Sequence, residues 1–234
     1  MLTDDLLELQ DTDTAIDQLT NRRGRLPERE ASAAAGAALT AADRRRAAIV
    51  TRNGELERSI AELEANGERV RAQRMRLEGQ LRTVTSTRQA EALQHELETL
   101  AGRQDVFDDQ ELAHLDEQGA LETELAELDA SRPGLAAAAE EATAVLGAAE
   151  GVIDAELANL ARVRESVAAR IEPAELDRYE RLRQRFDGVA VARLDGARCT
   201  GCHLDLSRAE LDTARATTEG QFAACPHCGR LLVP

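Results

Sequence analysis

Apolar residues return every seven positions through much of the chain. Ile49, Leu56, Leu63, Val70, Leu77 and Val84 form one series. Leu93, Leu100, Phe107, His114, Leu121, Leu128 and Leu135 form a second, and Leu97, Leu125, Leu146, Ile153, Leu160 and Val167 a third. A sustained seven-residue period in a charged sequence marks a coiled-coil seam. An earlier apolar stripe begins with Leu2, Leu6, Leu9, Ile16 and Leu19. The seam is uneven. Asn53, Gly67 and Arg74 stand at companion positions of the first series, and Gln104, Glu111 and Gln118 interrupt the third. His114 reads as a polar seam residue of the kind that fixes register at some cost in stability.

Breaks in the pattern divide it into helices. Pro27 removes a backbone donor and should kink or break the first helix. Val84 to Gln89 (Val-Thr-Ser-Thr-Arg-Gln) is poor helix interior, and Ser86 with Gln89 has the spacing of a capping box, so a new helix is predicted there. Pro133 and Gly134 should kink that second helix. Residues 31–48 and 136–149 are both crowded with Ala and lie at similar distances from Ser86. Folding the chain back at Ser86 sets the two small-residue faces opposite each other, where they can approach closely. An antiparallel helical hairpin follows.

Pro173 suits the first turn of a further helix. It carries Tyr179, Leu182 and Phe186 on one face and Arg178, Arg181, Arg183 and Arg185 around them, and Gly188 closes it. Val189 to Leu194 reads as a strand, Ser207 and Glu210 as a capping box opening a short helix, and Phe222 and Leu231 to Val233 as strands. Between these elements lie all four cysteines of the chain, Cys199, Cys202, Cys225 and Cys228, in two C-x-x-C pairs. Each pair offers two thiolates to one side of a tetrahedral ion, so the four predict one structural zinc. Two disulfides, or a redox dithiol, are the alternatives. A redox pair usually opens a helix in a βαβ context that this sequence lacks. Gly229 is expected to take positive φ after the second pair. His203 and His227 are expected outside the ligand shell or exposed, because four thiolates already fill it.

The remaining chemistry is sparse. Aromatic residues make up 2% of 234 residues, and the charged fraction is 31%. This is the composition of long helices. The net charge of −15 argues against a chain coated for nucleic acid. From residue 173 onward nine acidic residues balance nine basic ones, so the excess belongs to the hairpin. Its tip is nevertheless basic, with Arg69, Arg71, Arg74, Arg76, Arg82 and Arg88. Arg74, Arg82 and Arg88 are candidate contacts for an acidic protein surface or a phosphate backbone, and Arg178, Arg181, Arg183 and Arg185 are a second candidate cluster. A solvated face is the plainer reading of both. No apolar run is long enough for a membrane span, the start of the chain does not resemble a signal peptide, and paired cysteines then fit zinc in a reducing cytoplasm. No phosphate loop, H-E-x-x-H or Ser-His-Asp pattern suggests an enzyme or a small-molecule substrate.

Taken together, the tip from Val84 to Glu96 and the ribbon pattern Cys199-Thr-Gly201-Cys202 with Cys225-Pro226-His-Cys228-Gly229-Arg230 resemble the bacterial C4-type zinc ribbon proteins with a chlamydial-type coiled-coil hairpin. Their tip reads V-x-x-x-K-E-Y-x-A-L-x-x-E, and here Gln89 and Ala90 replace the acidic-aromatic pair. The resemblance implies an adaptor or chaperone-like role and partners in the transcription or secretion machinery.

The sequence therefore predicts a mainly α protein, a long antiparallel coiled-coil helical hairpin followed by a small C-terminal zinc ribbon with short β-strands. Residues 1–172 are assigned to the hairpin, with its tip near 84–89, and 173–234 to a linking helix and the ribbon. The predicted function is a non-enzymatic, zinc-binding interaction protein of the cytoplasm. The alternative is a nucleic-acid-binding regulator using the ribbon and the adjacent Arg cluster.

Overall fold

The computed structural model describes residues 2–215 and 223–233. Its elements in order are α1 (Leu2–Gly24), α2 (Pro27–Leu81), α3 (Thr87–Ala168), α4 (Pro173–Arg185), β1 (Val191–Asp195), β2 (Arg198–Cys199), α5 (Arg208–Arg215), β3 (Ala223–Ala224) and β4 (Leu231–Val233). Long helices form a hairpin, and short strands follow in the C-terminal region. The chain divides into two compact units, Ser32–Ala142 and Met1–Ala31 with Thr143–Pro234. None of the described helices is long and apolar enough to cross a membrane.

In the first unit the heptad positions are the buried ones. Ile49, Leu56, Leu63, Val70 and Leu77 are at most 9% exposed, as is Leu100 on α3. Two positions that weaken the seam in the sequence turn out to be partners. A Cβ on Gly67 would lie 3.2 Å from Gln104 Nε2, so the missing side chain makes room for the buried glutamine. Gln104 in turn donates to Asp108 Oδ1 at 2.6 Å. Ion pairs cross between the arms in descending order. Asp43 meets Arg132 at 2.6 Å, Arg46 meets Asp129 at 2.7 Å, and Arg52 meets Glu117 at 2.8 Å. A rising number on α2 against a falling one on α3 is the antiparallel register, and it carries the Ala-rich stretches past each other.

The breaks fall near their predicted places. Pro27 opens α2, where its missing N–H costs nothing. The reversal spans 82–86, and Ala90 N–H donates to the Ser86 carbonyl at 3.0 Å. Neither side-chain bond of the Ser86–Gln89 capping box forms among the described residues. Only the start of the helix is as expected. The second box does form: Glu210 accepts from Ser207 N–H at 2.8 Å, and Ser207 Oγ accepts from Glu210 N–H at 3.4 Å. α3 continues as helix through Pro133.

In the second unit Leu6 and Leu9 of α1 are fully buried with Val167, Ile171, Tyr179, Ala190, Val191, Leu231 and Val233. The N-terminal stripe thus serves a globular core. The four strands are ordered β2-β1-β4-β3, with β1 and β4 parallel and the other pairs antiparallel. β1 begins at Val191, two residues beyond the predicted start, and α1 reaches the peptides just before it. The Gln10 side chain donates to the Gly188 carbonyl at 2.7 Å and accepts from Ala190 N–H at 2.7 Å. Asp187 and Gly188 both take positive φ as α4 ends, and Gly188 N–H returns to the Arg183 carbonyl at 2.9 Å. Phe222, expected in a strand, lies outside the described residues.

Candidate metal centre

Each cysteine pair sits on a tight turn, and the two turns share one hydrogen-bond pattern. His203 N–H donates to the Cys199 carbonyl, and Gly229 N–H to the Cys225 carbonyl, both at 2.8 Å. Cys199 N–H reaches the Leu204 carbonyl at 3.0 Å, and Cys225 N–H the Arg230 carbonyl at 2.8 Å. The residue after each pair has positive φ, 78° at Gly229 as expected and 61° at His203. His203 was missed as a backbone position. Aligning the two C-x-x-C pairs puts it in register with Gly229, which was the available signal. Both His203 and His227 are exposed side chains.

The turns bring the four Sγ atoms within 4.8 Å of one another, with Cys202 and Cys225 sulfurs 3.8 Å apart. A zinc tetrahedron with bonds of about 2.3 Å has edges of about 3.8 Å, so the donor set fits the ion. All four cysteines are free rather than disulfide-bonded. Burial pushes the Cys199 thiol up to about 12 and raises that of Cys225. Burial opposes ionisation of Cys228 too, but the Arg230 N–H and the Cys225 thiol outweigh it and lower its value. Buried thiols that resist ionisation without a cation are the case in which a metal supplies the missing charge.

Arg230 binds the turns together. Its Nε donates to the Val189 carbonyl at 2.9 Å and a terminal nitrogen donates to the Gly201 carbonyl at 3.2 Å. Its guanidinium lies 4.7 Å from the centre of the Phe186 ring. A Cβ at Gly201 would fall 2.7 Å from Arg230 Cδ, which explains the glycine inside the first pair.

The predicted arginine contacts separate. Arg82 and Arg88 are exposed at the reversal, and Arg74 is half-buried with its Nε lacking a partner among the described residues. Around α4, Arg178 lies 3.6 Å from Glu175, Arg181 pairs with Asp177, and Arg183 donates to Asp17 at 2.8 Å. Arg185 is exposed, 5.3 Å from the Phe186 ring centre. Three of the four guanidiniums in that cluster already face carboxylates.

A network absent from the sequence reading centres on Asp13, which is 1% exposed. It accepts from Arg164 Nε at 2.6 Å and from the Tyr179 hydroxyl at 2.7 Å, and Arg183 Nε lies 3.5 Å away. Arg164 also pairs with Glu180. Burial, and then the bond to Asp13, pushes the Tyr179 phenol well above its ordinary value.

A helical hairpin joined to a ribbon with four converging thiols defines a class, a coiled-coil protein carrying a C4-type zinc ribbon. Residues 9–187 match the CT398-like coiled coil hairpin domain, and residues 198–232 the C4-type zinc ribbon domain. The chain belongs to the CT398-like coiled-coil hairpin family. It is 30% identical over 236 residues to uncharacterised proteins from two strains of Mycobacterium tuberculosis, covering 97% of this chain and 93% of theirs. Among solved structures, CT398 of Chlamydia trachomatis shares the fold with a TM-score of 0.83 at 21% identity, over 99% of this chain and 96% of that one. A Mycobacterium smegmatis protein follows the same fold at TM-score 0.70 and 24% identity, over 99% and 97% of the two chains. The HP0958 protein of Helicobacter pylori does so at 0.67 and 18%, over 98% and 95%.

Proposed function

We propose that this chain is a non-enzymatic adaptor or chaperone-like protein of the cytoplasm that docks macromolecular partners through its hairpin and ribbon. One structural zinc is held by Cys199, Cys202, Cys225 and Cys228. The convergence of the four sulfurs carries this reading, because four thiolates complete a tetrahedron and leave no position for substrate or water. Zinc then acts as a staple for a segment with few large apolar residues. The exposed Arg82 and Arg88 at the reversal offer a positive docking point for an acidic protein partner, and partners in the transcription or secretion machinery are those the family resemblance suggests. Ion pairing around α4 favours the protein partner over nucleic acid as the ligand of that cluster.

The test combines metal content with partner capture. The wild-type chain is expected to carry one zinc, and Cys225→Ser none, with helical circular dichroism retained in both. Full zinc in Cys225→Ser overturns the ligand assignment. Arg82→Glu with Arg88→Glu should keep zinc and helicity but slow association with a partner captured from native cytoplasm. Unchanged association at low salt removes the tip from the mechanism. Capture of DNA or RNA with affinity falling steeply in salt would replace the adaptor reading with the nucleic-acid one.

A further inference from the structure

Between Arg103 and Arg132, α3 carries ten carboxylates and no arginine or lysine. Three of them, Glu117, Glu124 and Asp129, are neutralised by arginines of α2. The rest of the run surrounds two leucines that the seam does not use. Leu112 and Leu115 lie off the heptad positions and are 59% and 46% exposed, whereas the heptad leucines of α3 are at least partly buried. They form one side of a cleft of about 770 Å³ between the helices of the hairpin, and Ala61 and Ala65 of α2 form the other. The same cleft is rimmed by Glu64, Glu68, Asp108 and Glu111. Its single arginine, Arg71, is paired with Glu68 at 3.0 Å. Glu64 and Glu111 have no cationic partner among the described residues.

We infer that this cleft, from Ala61 to Arg71 on α2 and Asp108 to Leu115 on α3, is a docking groove for a basic amphipathic helix of a partner protein. The inference rests on the reading of the chain as an interaction protein and adds a second surface of opposite sign to the tip. The small Ala61 and Ala65 let a third backbone approach closely. Leu112 and Leu115 supply the apolar anchors that helix-in-groove recognition requires. Glu64, Asp108 and Glu111 face where lysines or arginines on the flanks of that helix would lie. The span of about ten residues along α2 is about 15 Å, or roughly three turns of a docked helix. Another copy of the same surface would bring like charges together, so charge complementarity selects a basic partner.

The probe is a labelled synthetic peptide of about four turns with leucines on one face and lysines elsewhere. Its counterpart has glutamates in place of the lysines. Both are titrated by fluorescence anisotropy against the full zinc-loaded chain. The lysine peptide is expected to bind and the glutamate peptide not. Leu112→Gln with Leu115→Gln keeps good helix formers and should weaken binding at least roughly tenfold, the size of loss expected on removing a central anchor. Glu64→Gln with Glu111→Gln should weaken it by roughly threefold or more and flatten its dependence on salt. Glu156→Gln with Glu165→Gln removes the same charge elsewhere and should change little. The groove is overturned if the leucine variant binds like wild type, if the control pair weakens binding as much as the groove pair, or if both peptides bind equally. It is also overturned if sedimentation shows self-association that the leucine variant abolishes, since a second copy then fills the cleft. Arg82→Glu with Arg88→Glu should leave peptide binding unchanged, so failure here is separable from failure of the tip.

Discussion

Both units carry exposed ion pairs, but among the described residues only the second also buries a carboxylate. In the hairpin, arginines meet carboxylates at the surface, and both members of a pair such as Arg52 and Glu117 keep more than two-fifths of their side-chain area in water (45% and 42%). In the other unit a single carboxylate, Asp13, is withdrawn to 1% exposure and serves Arg164, Tyr179 and Arg183 together. Exposed pairs gain little, because water and salt screen them and two long side chains must be held still. Their value is positional, since each records which residue of α3 stands beside which residue of α2. A buried carboxylate costs several kcal/mol to desolvate and is tolerated only where every partner is in place. Asp13 therefore ties α1, α3 and α4 to one arrangement, which the hairpin's rim of exchangeable ion pairs does not do.

The largest effect expected from breaking this contrast is that of Asp13→Ala. It leaves Arg164 and the Tyr179 hydroxyl without their acceptor in a buried site, and should cost about 3 kcal/mol or more in denaturant unfolding. A loss no larger than that of a surface substitution would show that water replaces the carboxylate. Tyr179→Phe should be milder, about 1 kcal/mol at neutral pH, since it removes one hydrogen bond and keeps the ring. It also sharpens the comparison through pH. The phenol's value is raised in the folded chain, so its contribution is complete below the unfolded value of about 10 and is lost as pH rises beyond it. Wild type should therefore lose stability above about pH 10 more steeply than Tyr179→Phe. The smallest effect belongs to Arg52→Ala, which should leave the unfolding midpoint nearly unchanged. The hairpin's carboxylates do respond to acid. The Arg52, Arg45 and Arg132 side chains hold Glu117, Glu124 and Asp43 below the usual carboxylate range by donating hydrogen bonds to them. Their support is present above the unfolded carboxylate values and disappears as pH falls through the lowered folded ones. Melting of Arg52→Ala and wild type should converge at acid pH.

How legible each region was follows from the same contrast. The α2 seam could be read residue by residue, because a heptad is a local pattern and each of its positions reports burial alone. The cysteine turns were legible because ligand chemistry forces spacing. Asp13 and Gln10 were not, since an isolated polar residue in a charged helix has the sequence appearance of a solvated one. Only contacts with residues far along the chain give them away. Gly67 and Gln104 each looked like a flaw in the seam, and pairing across the hairpin turns two flaws into one fit. Ser86 and Ser207 show the limit of motif spacing. Both head a box pattern, yet only Ser207 closes the reciprocal bonds. The parallel pairing of β1 with β4 had no local signal at all.

The grip of Gln10 on the peptides leading into β1 spans 180 residues of sequence. A ribosome releases α1 long before it makes the strands that α1 covers, so Leu6 and Leu9 wait as bare apolar surface while the whole hairpin is synthesised. Helices zip locally and early, whereas contacts of such sequence separation close late. The nascent chain thus passes through a stage with its hairpin complete and only Val167 and its neighbours of that core made to cover the first helix. A stalled or truncated product ending before β4 would lack Leu231 and Val233 and leave part of that surface exposed, a substrate for chaperones and proteases rather than a smaller working protein.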